Sequence, residues 1–185
     1  MKLIFCTGNN QKFLTARQVC REYSIDVTQK KIQTFEIQEE DAHKVALDKA
    51  TKAFKVVGKP IIISDDSWNF IGLRGFPGVY MHSMNEWLTP EDFLRLTLPL
   101  TDRRVILTMY LVYYDGKDYK SFKQLSAGKL LKEKHGTSAH PSHTVMSMQG
   151  DDGLSIAEAL SMKDNGTSRE VAQVWHEFAK WYSNK

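Results

Sequence analysis

Apolar and polar positions along this chain follow two periods, one typical of strands and one typical of helices. Short apolar runs bounded by turn residues predict buried strands, whereas apolar residues spaced three and four apart predict amphipathic helices. The predicted strands are Leu3–Cys6, Ile32–Ile37, Ile61–Ile63, Val105–Tyr114, Tyr119–Leu125 and Thr144–Met148, and the predicted helices are Asn10–Tyr23, Asp41–Val57, a segment beginning at Thr89–Pro90, and Ser168–Tyr182. Helices mixed with short strands and one long hairpin indicate the α/β class with a mixed β-sheet.

The length and composition are those of a compact globular protein. The 185 residues are 42% apolar and 25% charged, so we expect one folded domain over residues 1–185. A net charge of +3, with the lysines spread along the chain, argues against nucleic-acid binding. The longest apolar run is too short to cross a bilayer as a helix, so we expect no membrane association. Two cysteines make no disulfide framework, and we therefore expect a reduced, cytoplasmic protein.

The segment Thr7–Lys12 lies between the first predicted strand and the first predicted helix. Amide groups at a helix N-terminus carry partial positive charge and attract phosphate oxygens. Gly8 would let the backbone approach a ligand closely, Asn9 adds a polar side chain and Lys12 adds a full charge. These features predict a phosphate-binding loop, although its spacing is not that of a Walker loop. The alternative is an ordinary glycine–asparagine turn followed by a solvated lysine.

Two acidic pairs form a second candidate site. Asp65-Asp66 follows the Ile61–Ile63 strand, and Glu39-Glu40 lies upstream. Open α/β sheets bind ligands at the carboxyl ends of strands, and Mg²⁺ binds through one or two carboxylates together with water and phosphate oxygens. The acids therefore predict a magnesium site that serves a polyphosphate. The alternative is that the aspartates cap a turn while the glutamates begin a solvated helix.

Five segments follow one another along the chain in the order and approximate spacing of a known family. They are Thr7-Gly8-Asn9-x-x-Lys12, Glu40, Lys52-Ala53, Asp65-Asp66-Ser67 and Gly75-Phe76-Pro77-Gly78-Val79-Tyr80. Together they resemble the inosine triphosphate pyrophosphatase family, the non-canonical purine nucleoside triphosphate pyrophosphatases. The resemblance implies an elongated mixed β-sheet flanked by helices, two lobes with a central cleft, and a homodimer. It also implies Mg²⁺-dependent hydrolysis of ITP, dITP or XTP to the monophosphate and pyrophosphate, a house-cleaning of the nucleotide pool.

The resemblance also implies roles for individual residues. The residues that would bind the triphosphate, including Gly8 of the loop described above, are Thr7, Gly8, Asn9, Lys12, Lys52 and Ser67. Glu40, Asp65 and Asp66 would hold the metal ion. Lys12 and Asp66 would be catalytic, with Asp66 orienting or deprotonating the attacking water. Lys52 has an alternative explanation as a surface lysine on the polar side of the second predicted helix.

The half of the chain that would recognise the base departs from the family. The family reads Asp-Asp-Ser-Gly where this chain has Trp68, whose indole would narrow the cleft or offer a stacking face. Pro141–Val145 stands where the family has Phe-Gly-Tyr-Asp-Pro, whose aromatic ring stacks on the purine. His143 or His140 could stack on the base here, and the alternative is an exposed loop histidine.

A second departure lies near the C-terminus. The family's Ser-His-Arg is Thr167-Ser168-Arg169 in this chain, which removes the histidine. Arg169 and Lys163 remain candidates for contacts with the base or the phosphates. Thr167 and Glu170 also fit a capping box, and a capped helix start can present donors to a ligand as well.

The chain thus retains the phosphate and metal half of the family pattern and changes the half that reads the base. We predict an Mg²⁺-dependent nucleoside triphosphate pyrophosphatase whose base preference is changed or relaxed, because base specificity depends on polar groups that must find partners on the correct base. Two alternatives stay open: a nucleotide-binding protein with weakened catalysis, and an enzyme that performs the same reaction on a different modified nucleotide.

Overall fold

A computed structural model of the chain describes residues 1–33, 35–162 and 169–185, with the side chains of residues 169–171 left aside. The strands are β1 (Lys2–Cys6), β2 (Asp26–Lys30), β3 (Ile61–Phe70), β4 (Pro77–Gly78), β5 (Arg104–Tyr114), β6 (Tyr119–Leu130) and β7 (Met146–Met148). The helices are α1 (Asn10–Glu22), α2 (Ala42–Val57), α3 (Met81–Trp87), α4 (Pro90–Thr97), α5 (Ile156–Met162) and α6 (Arg169–Ser183). In the described part of the chain no helix is long and apolar enough to cross a membrane.

Seven strands form one mixed sheet in the order β2-β1-β3-β5-β6-β7, with β4 paired to β3. Strand β1 is parallel to both β2 and β3, whereas β4 runs antiparallel to β3 and β7 antiparallel to β6. Parallel neighbours need helical crossovers, and α1 and α2 supply them between β1, β2 and β3. The predicted α/β class with a mixed sheet is therefore confirmed.

The chain divides into two compact units. The first comprises residues 1–66 and 109–124 together with α6, and the second comprises residues 67–108 with the described residues from 125 to 162. The prediction of a single pyrophosphatase-like domain over residues 1–185, with a cleft between two lobes, stays a prediction.

The first unit packs helices on both faces of its strands. Side chains of a strand alternate between the faces of a sheet, so Ile62 packs with α1 and α6 while Ile61 and Ile63 pack with α2. The side facing α1 and α6 is filled by large apolar residues, among them Leu3, Phe5, Val19, Trp175 and Phe178. The side facing α2 is filled mainly by small ones, Ala46, Ala50 and Ala53. The same alternation of side chains continues along β3 through Asp65 and Asp66.

The second unit has its own apolar core, which holds buried residues from α3, α4, β5 and β7, among them Met81, Met84, Phe93, Val105 and Met146. Helix α4 begins as its sequence predicts. Thr89 caps it, Pro90 follows, and the Thr89 and Asp92 side chains each accept from the other's backbone N–H group.

The strand predicted at Ile32–Ile37 is wrong. The described residues of that segment form no strand, and Phe35 is 90% exposed. The strand beside β1 is instead β2, which the sequence analysis missed because only Val27 of its five residues is buried. The backbone of such an edge strand is held extended by hydrogen bonds to the neighbouring strand. Its side chains need not alternate between apolar and polar, so the sequence shows no strand pattern.

Strand β3 is longer than predicted. It continues from Ile63 through both aspartates to Phe70, where its last residues pair with β4. The alternative that the aspartates cap a turn is therefore wrong. Further along, residues 141–144 form a 3₁₀ turn, so the strand predicted at Thr144–Met148 shortens to β7. The predicted cap Thr167 lies outside the described residues.

Candidate active site

The loop between β1 and α1 folds as its sequence predicts. Asn9 is the N-cap of α1, and its side-chain oxygen accepts from the backbone N–H of Lys12 at 3.1 Å. The Thr7 hydroxyl accepts from the Asn9 N–H at 3.1 Å, which fixes the turn. A Cβ at Gly8 would meet no atom within 4 Å, so the backbone there faces open space. The first turn of α1 carries no acidic residue, and this favours anion binding.

Lys12 reaches from the first turn of α1 to the middle of β3. Its Nζ atom lies 2.7 Å from Asp66 Oδ2, and both side chains are about a fifth exposed. The predicted catalytic pair is therefore in direct contact. The other carboxylate oxygen of Asp66, Oδ1, is buried and has no hydrogen-bond partner among the described residues.

Asp65 is paired with a lysine that the sequence analysis missed. Lys49 Nζ on α2 lies 3.2 Å from Asp65 Oδ1 and 2.6 Å from Glu36 Oε1. One side chain therefore joins two carboxylates from separate segments. The signal that identifies Lys49 is its helical phase, because it lies one turn after the buried Val45 on the inward side of α2.

The two aspartates lie on opposite faces of β3. Asp66 meets Lys12 of α1, whereas Asp65 meets Lys49 of α2, as the alternation of side chains along a strand requires. That the two adjacent acids act together on one metal ion stays a prediction. Across the described residues, no three histidine, cysteine, aspartate or glutamate side chains form a group that could hold a metal ion.

Burial makes the charge of Asp65 costly. Desolvation raises the pKa of Asp65 above its usual 3.8, although Lys49 and Lys12 act in the opposite direction. Desolvation also opposes the charge on Lys49, but Asp65 and Glu36 outweigh it and raise the pKa of Lys49. The pair is asymmetric because the lysine has two acidic neighbours, while Asp65 Oδ2 is buried with no partner in the described part of the chain.

Two residues assigned from the resemblance lie apart from these contacts. Glu40 is exposed, and its backbone N–H donates to Glu39 Oε1; among the described residues its carboxylate has no ion pair. Lys52 contacts Asp48 at 2.6 Å and donates to the backbone oxygen of Phe35 at 2.8 Å. Glu36 and Lys49 are the described ion-pair neighbours around Asp65, and the roles of Glu40 at the metal ion and of Lys52 at the triphosphate stay predictions.

Ser67 and Trp68 lie in the second unit. Ser67 is buried, and its Oγ accepts from Asn69 Nδ2 at 3.3 Å. Trp68 pairs with Gly78 of β4, and its ring packs partly buried against the apolar core of that unit. The indole therefore contributes to the core of the second unit, and its contact with a substrate base stays a prediction.

The remaining predicted residues take no part in the ion pairs described for the first unit. The rings of His140 and His143 are 5.0 Å apart at one 3₁₀ turn, and His143 Nδ1 lies 3.4 Å from Ser138 Oγ. Lys163 lies outside the described residues. Arg169 begins α6, and its side chain lies outside the described part as well. Base contacts by His143, Lys163 and Arg169 stay predictions.

Comparison with known proteins gives a consistent result. The model of the Ham1 family matches residues 3–173. The dITP/XTP pyrophosphatase of Methanosarcina acetivorans is 28% identical over 100% of this chain and 98% of its own length. That of Saccharolobus solfataricus is 23% identical over 100% of this chain and 97% of its own length. A HAM1 protein from Coxiella burnetii has the same fold, with a TM-score of 0.80 at 14% identity and full coverage of both chains.

The family match spans most of the chain and includes Lys12, Glu36, Lys49, Asp65 and Asp66. The full-length relatives are named for the reaction that the resemblance implies. The family expected from the sequence is thereby confirmed: the chain belongs to the Ham1 family, and its enzyme class is that of the nucleoside triphosphate pyrophosphatases.

Proposed function

We propose that this protein hydrolyses non-standard purine nucleoside triphosphates of the ITP, dITP and XTP type to the monophosphate and pyrophosphate. The observation that supports this proposal is the pair of lysine–aspartate contacts on the two faces of β3, beside carboxylate oxygens that have no partner among the described residues. The names of the full-length relatives support the substrate class.

Two lysines and the start of α1 supply the positive charge for a triphosphate. Lys12 lies in the first turn of α1, where the helix N-terminus adds partial positive charge. Lys49 is partly buried between two carboxylates and can exchange one of them for a phosphate oxygen. The Asn9 cap keeps the first turn of α1 in place without a substrate, so this part of the site is preorganised.

Asp66 is suited to hold and deprotonate the attacking water. Lys12 occupies Oδ2 of Asp66, which leaves the buried Oδ1 as the acceptor for a proton. Water oxygen attacks the α-phosphorus, the bond from that phosphorus to the bridging oxygen breaks, and pyrophosphate leaves with the electron pair. The proton of the water passes to Asp66 and from there to solvent, so atoms and charges balance.

No three metal-ligating side chains of the described residues gather at one point, so a divalent cation would fit only as Mg²⁺ does, on one or two carboxylates with water and phosphate oxygens. The two lysines face three carboxylates, those of Glu36, Asp65 and Asp66, so the cluster cannot by itself neutralise a triphosphate. Glu36 and Asp65 would hold the ion, because both approach Lys49 within 3.2 Å and Asp65 Oδ2 is buried without a partner among the described residues. All-oxygen ligands favour Mg²⁺, which when bound neutralises phosphate charge and polarises the phosphorus–oxygen bond.

The preferred base depends on a segment that differs from the family pattern, Pro141–Val145. His143 stands where the family pattern has its tyrosine and Thr144 where it has its aspartate, which favours the same reaction on a different modified nucleotide as the second candidate. A homodimer and a cytoplasmic location stay predictions from the sequence.

The reaction is tested with purified protein, Mg²⁺, and a panel of ITP, dITP, XTP, the standard nucleotides and modified purine nucleotides. We expect monophosphate and pyrophosphate in equal amounts, with the deaminated purines preferred. Chromatography of the nucleotides and a pyrophosphate assay measure both products. Turnover of another modified nucleotide alone would favour the second candidate, and tight binding without turnover of any nucleotide would contradict the proposed enzyme.

Loss of either member of the Lys12–Asp66 pair should impair the reaction. We expect Asp66→Asn and Lys12→Ala each to lower kcat/KM by on the order of a hundredfold, the range for loss of a base or a charge-stabilising group. Lys55→Ala, which removes an exposed lysine from α2, is the matched control and should keep the wild-type rate. Wild-type kinetics in both site variants would show that the reaction occurs elsewhere.

The choice between Glu36 and Glu40 as a metal ligand is tested with two isosteric variants. We expect Glu36→Gln to raise the Mg²⁺ concentration for half-maximal activity by about tenfold or more, as for the loss of a metal-site partner. We expect Glu40→Gln to leave it unchanged, because Glu40 is exposed and its carboxylate has no ion pair among the described residues. Binding of Mn²⁺, followed by electron paramagnetic resonance, gives an independent readout. The reverse ranking of the two variants would restore Glu40 as the ligand.

Asp65→Asn should stabilise the protein when no divalent metal is present. The pKa of Asp65 is raised, so its ionised form disfavours folding once the pH exceeds its usual 3.8. We therefore expect the variant to melt at a higher temperature than the wild type at about pH 7, and the difference to vanish as the pH falls to about 4. Lys49 keeps Glu36 as a partner in this variant.

Asp102→Asn is the matched control for Asp65→Asn. Arg104 lowers the pKa of Asp102 to about 2, so the ionised form favours folding above its usual 3.8. This stabilisation is lost as the pH falls through about 2. We expect the control to melt at a lower temperature than the wild type near neutral pH, opposite in sign to Asp65→Asn. A lower melting temperature in Asp65→Asn would contradict the assigned cost of its charge.

A further inference from the structure

Three consecutive residues of β3 each carry a buried side-chain oxygen without a hydrogen-bond partner in the described part of the chain. They are Ser64 Oγ, Asp65 Oδ2 and Asp66 Oδ1. The great majority of buried polar atoms in proteins have a partner, so such a concentration requires an explanation. The two carboxylates are explained by the proposed function. Ser64 is not, because neither the sequence motifs nor the ion pairs involve it.

Ser64 lies on the same face of β3 as Asp66. Ile62 packs on the side of α1 and α6, Ile61 and Ile63 pack on the side of α2, and Asp65 and Asp66 continue this alternation through their lysines. Ser64 is two residues from both Ile62 and Asp66, and its side chain therefore lies on the α1 side.

The spacing suits one water molecule between the two side chains. Residues two apart on a strand are separated by about 7 Å along the chain, and a hydrogen bond to water spans about 2.8 Å at each side. A bridging water spans about 5.6 Å between two oxygen atoms, so a single water can bond Ser64 Oγ and Asp66 Oδ1 when the two side chains lean toward each other. Lys12 already occupies Asp66 Oδ2, which directs any further contact to Oδ1.

Helix α1 adds a third unpartnered atom on this side. Gln11 lies one turn before the buried Thr15, as Lys12 lies one turn before the buried Ala16, so both belong to the inward stripe of α1. Gln11 Nε2 is buried and, like the oxygens of β3, finds no hydrogen-bond partner among the described residues. Buried waters typically make about three hydrogen bonds. A hydroxyl, a carboxylate and an amide are suitable partners for one.

We propose that Ser64 is a positioning residue that holds the attacking water against Asp66. This inference rests on the proposed function and names a further residue of that site. The water donates one proton to Asp66 Oδ1 and the other to Ser64 Oγ, and one lone pair stays directed at the α-phosphorus. As that pair forms the new bond, the first proton passes to Asp66 and pyrophosphate leaves with the electrons of the broken bond. Ser64 keeps its own proton throughout.

Ser64→Ala tests this role, because it removes one oxygen and adds no volume. We expect kcat to fall by about ten- to a hundredfold with KM changed less than about twofold, since misplacement of a reacting group by about 1 Å can cost a hundredfold. We expect the melting temperature to stay the same or rise, because the hydroxyl has no partner that the change would leave unpaired. Ser147→Ala, which removes another buried hydroxyl, is the control and should keep kcat.

The combination with Asp66→Asn separates positioning of water from a structural role. If Ser64 acts through the water that Asp66 deprotonates, Ser64→Ala should lower the rate of Asp66→Asn by less than about threefold, because residues that act as a unit are not additive. A full further loss would contradict the proposal.

Other outcomes are equally decisive. Unchanged kcat in Ser64→Ala would overturn this inference alone and leave the proposed function standing. A raised KM at constant kcat would also overturn it, because Ser64 would then bind the nucleotide. A wild-type protein that turns over no nucleotide would overturn the proposed function and this inference with it.

Discussion

Two adjacent carboxylates inside a β-strand are the constraint on which the rest of the site depends. Side by side and partly buried, Asp65 and Asp66 would repel each other and resist desolvation. The strand resolves this by alternation, since each aspartate lies on its own face and meets a lysine from its own helix. Helix α1 must therefore begin soon enough after β1 to bring Lys12 to one face, and α2 must present Lys49 to the other.

The same arrangement explains why the charges are retained although they are costly. A carboxylate kept only for stability would find partners for both oxygens, but Asp65 and Asp66 each hold one buried oxygen without a partner in the described part of the chain. Burial raises the pKa of Asp65 even with Lys49 in contact. Sites that bind charged ligands commonly retain such unfavourable groups because function requires them. Phosphate and metal chemistry would supply the partners that the fold leaves out.

Segments that match the family pattern and segments that depart from it occur in both units. The first unit holds the β1–α1 loop, both aspartates and their lysines, on strands with helices packed on both faces. The second unit has its own core and holds the changed positions Trp68 and the Pro141–Thr144 turn together with the matched Gly75–Tyr80 segment, whereas Arg169 of the second departure begins α6 in the first unit. Trp68 contributes to the packing of this core. Divergence to 14% identity is therefore compatible with the same fold.

The sequence by itself determined the α/β class, the helices α1 and α2, the capped start of α4, and Lys12 and Asp66 as candidate site residues. Each of these depends on local features, such as apolar spacing, helix-cap residues and a loop between strand and helix. Such features can be read from residues that are neighbours in the sequence. The sequence did not reveal β2, whose order comes from pairing with β1, or the continuation of β3 through the acids.

Only the tertiary structure decided that Glu36 and Lys49, and not Glu40 and Lys52, lie beside Asp65. Motif spacing leaves such a shift of three or four residues open, because neighbouring acids and lysines are chemically alike. The rotation of α2 against β3 and the path of the segment before it determine which of them meet. These are long-range packing properties, and for that reason the residue types could be predicted from the sequence while their partners could not.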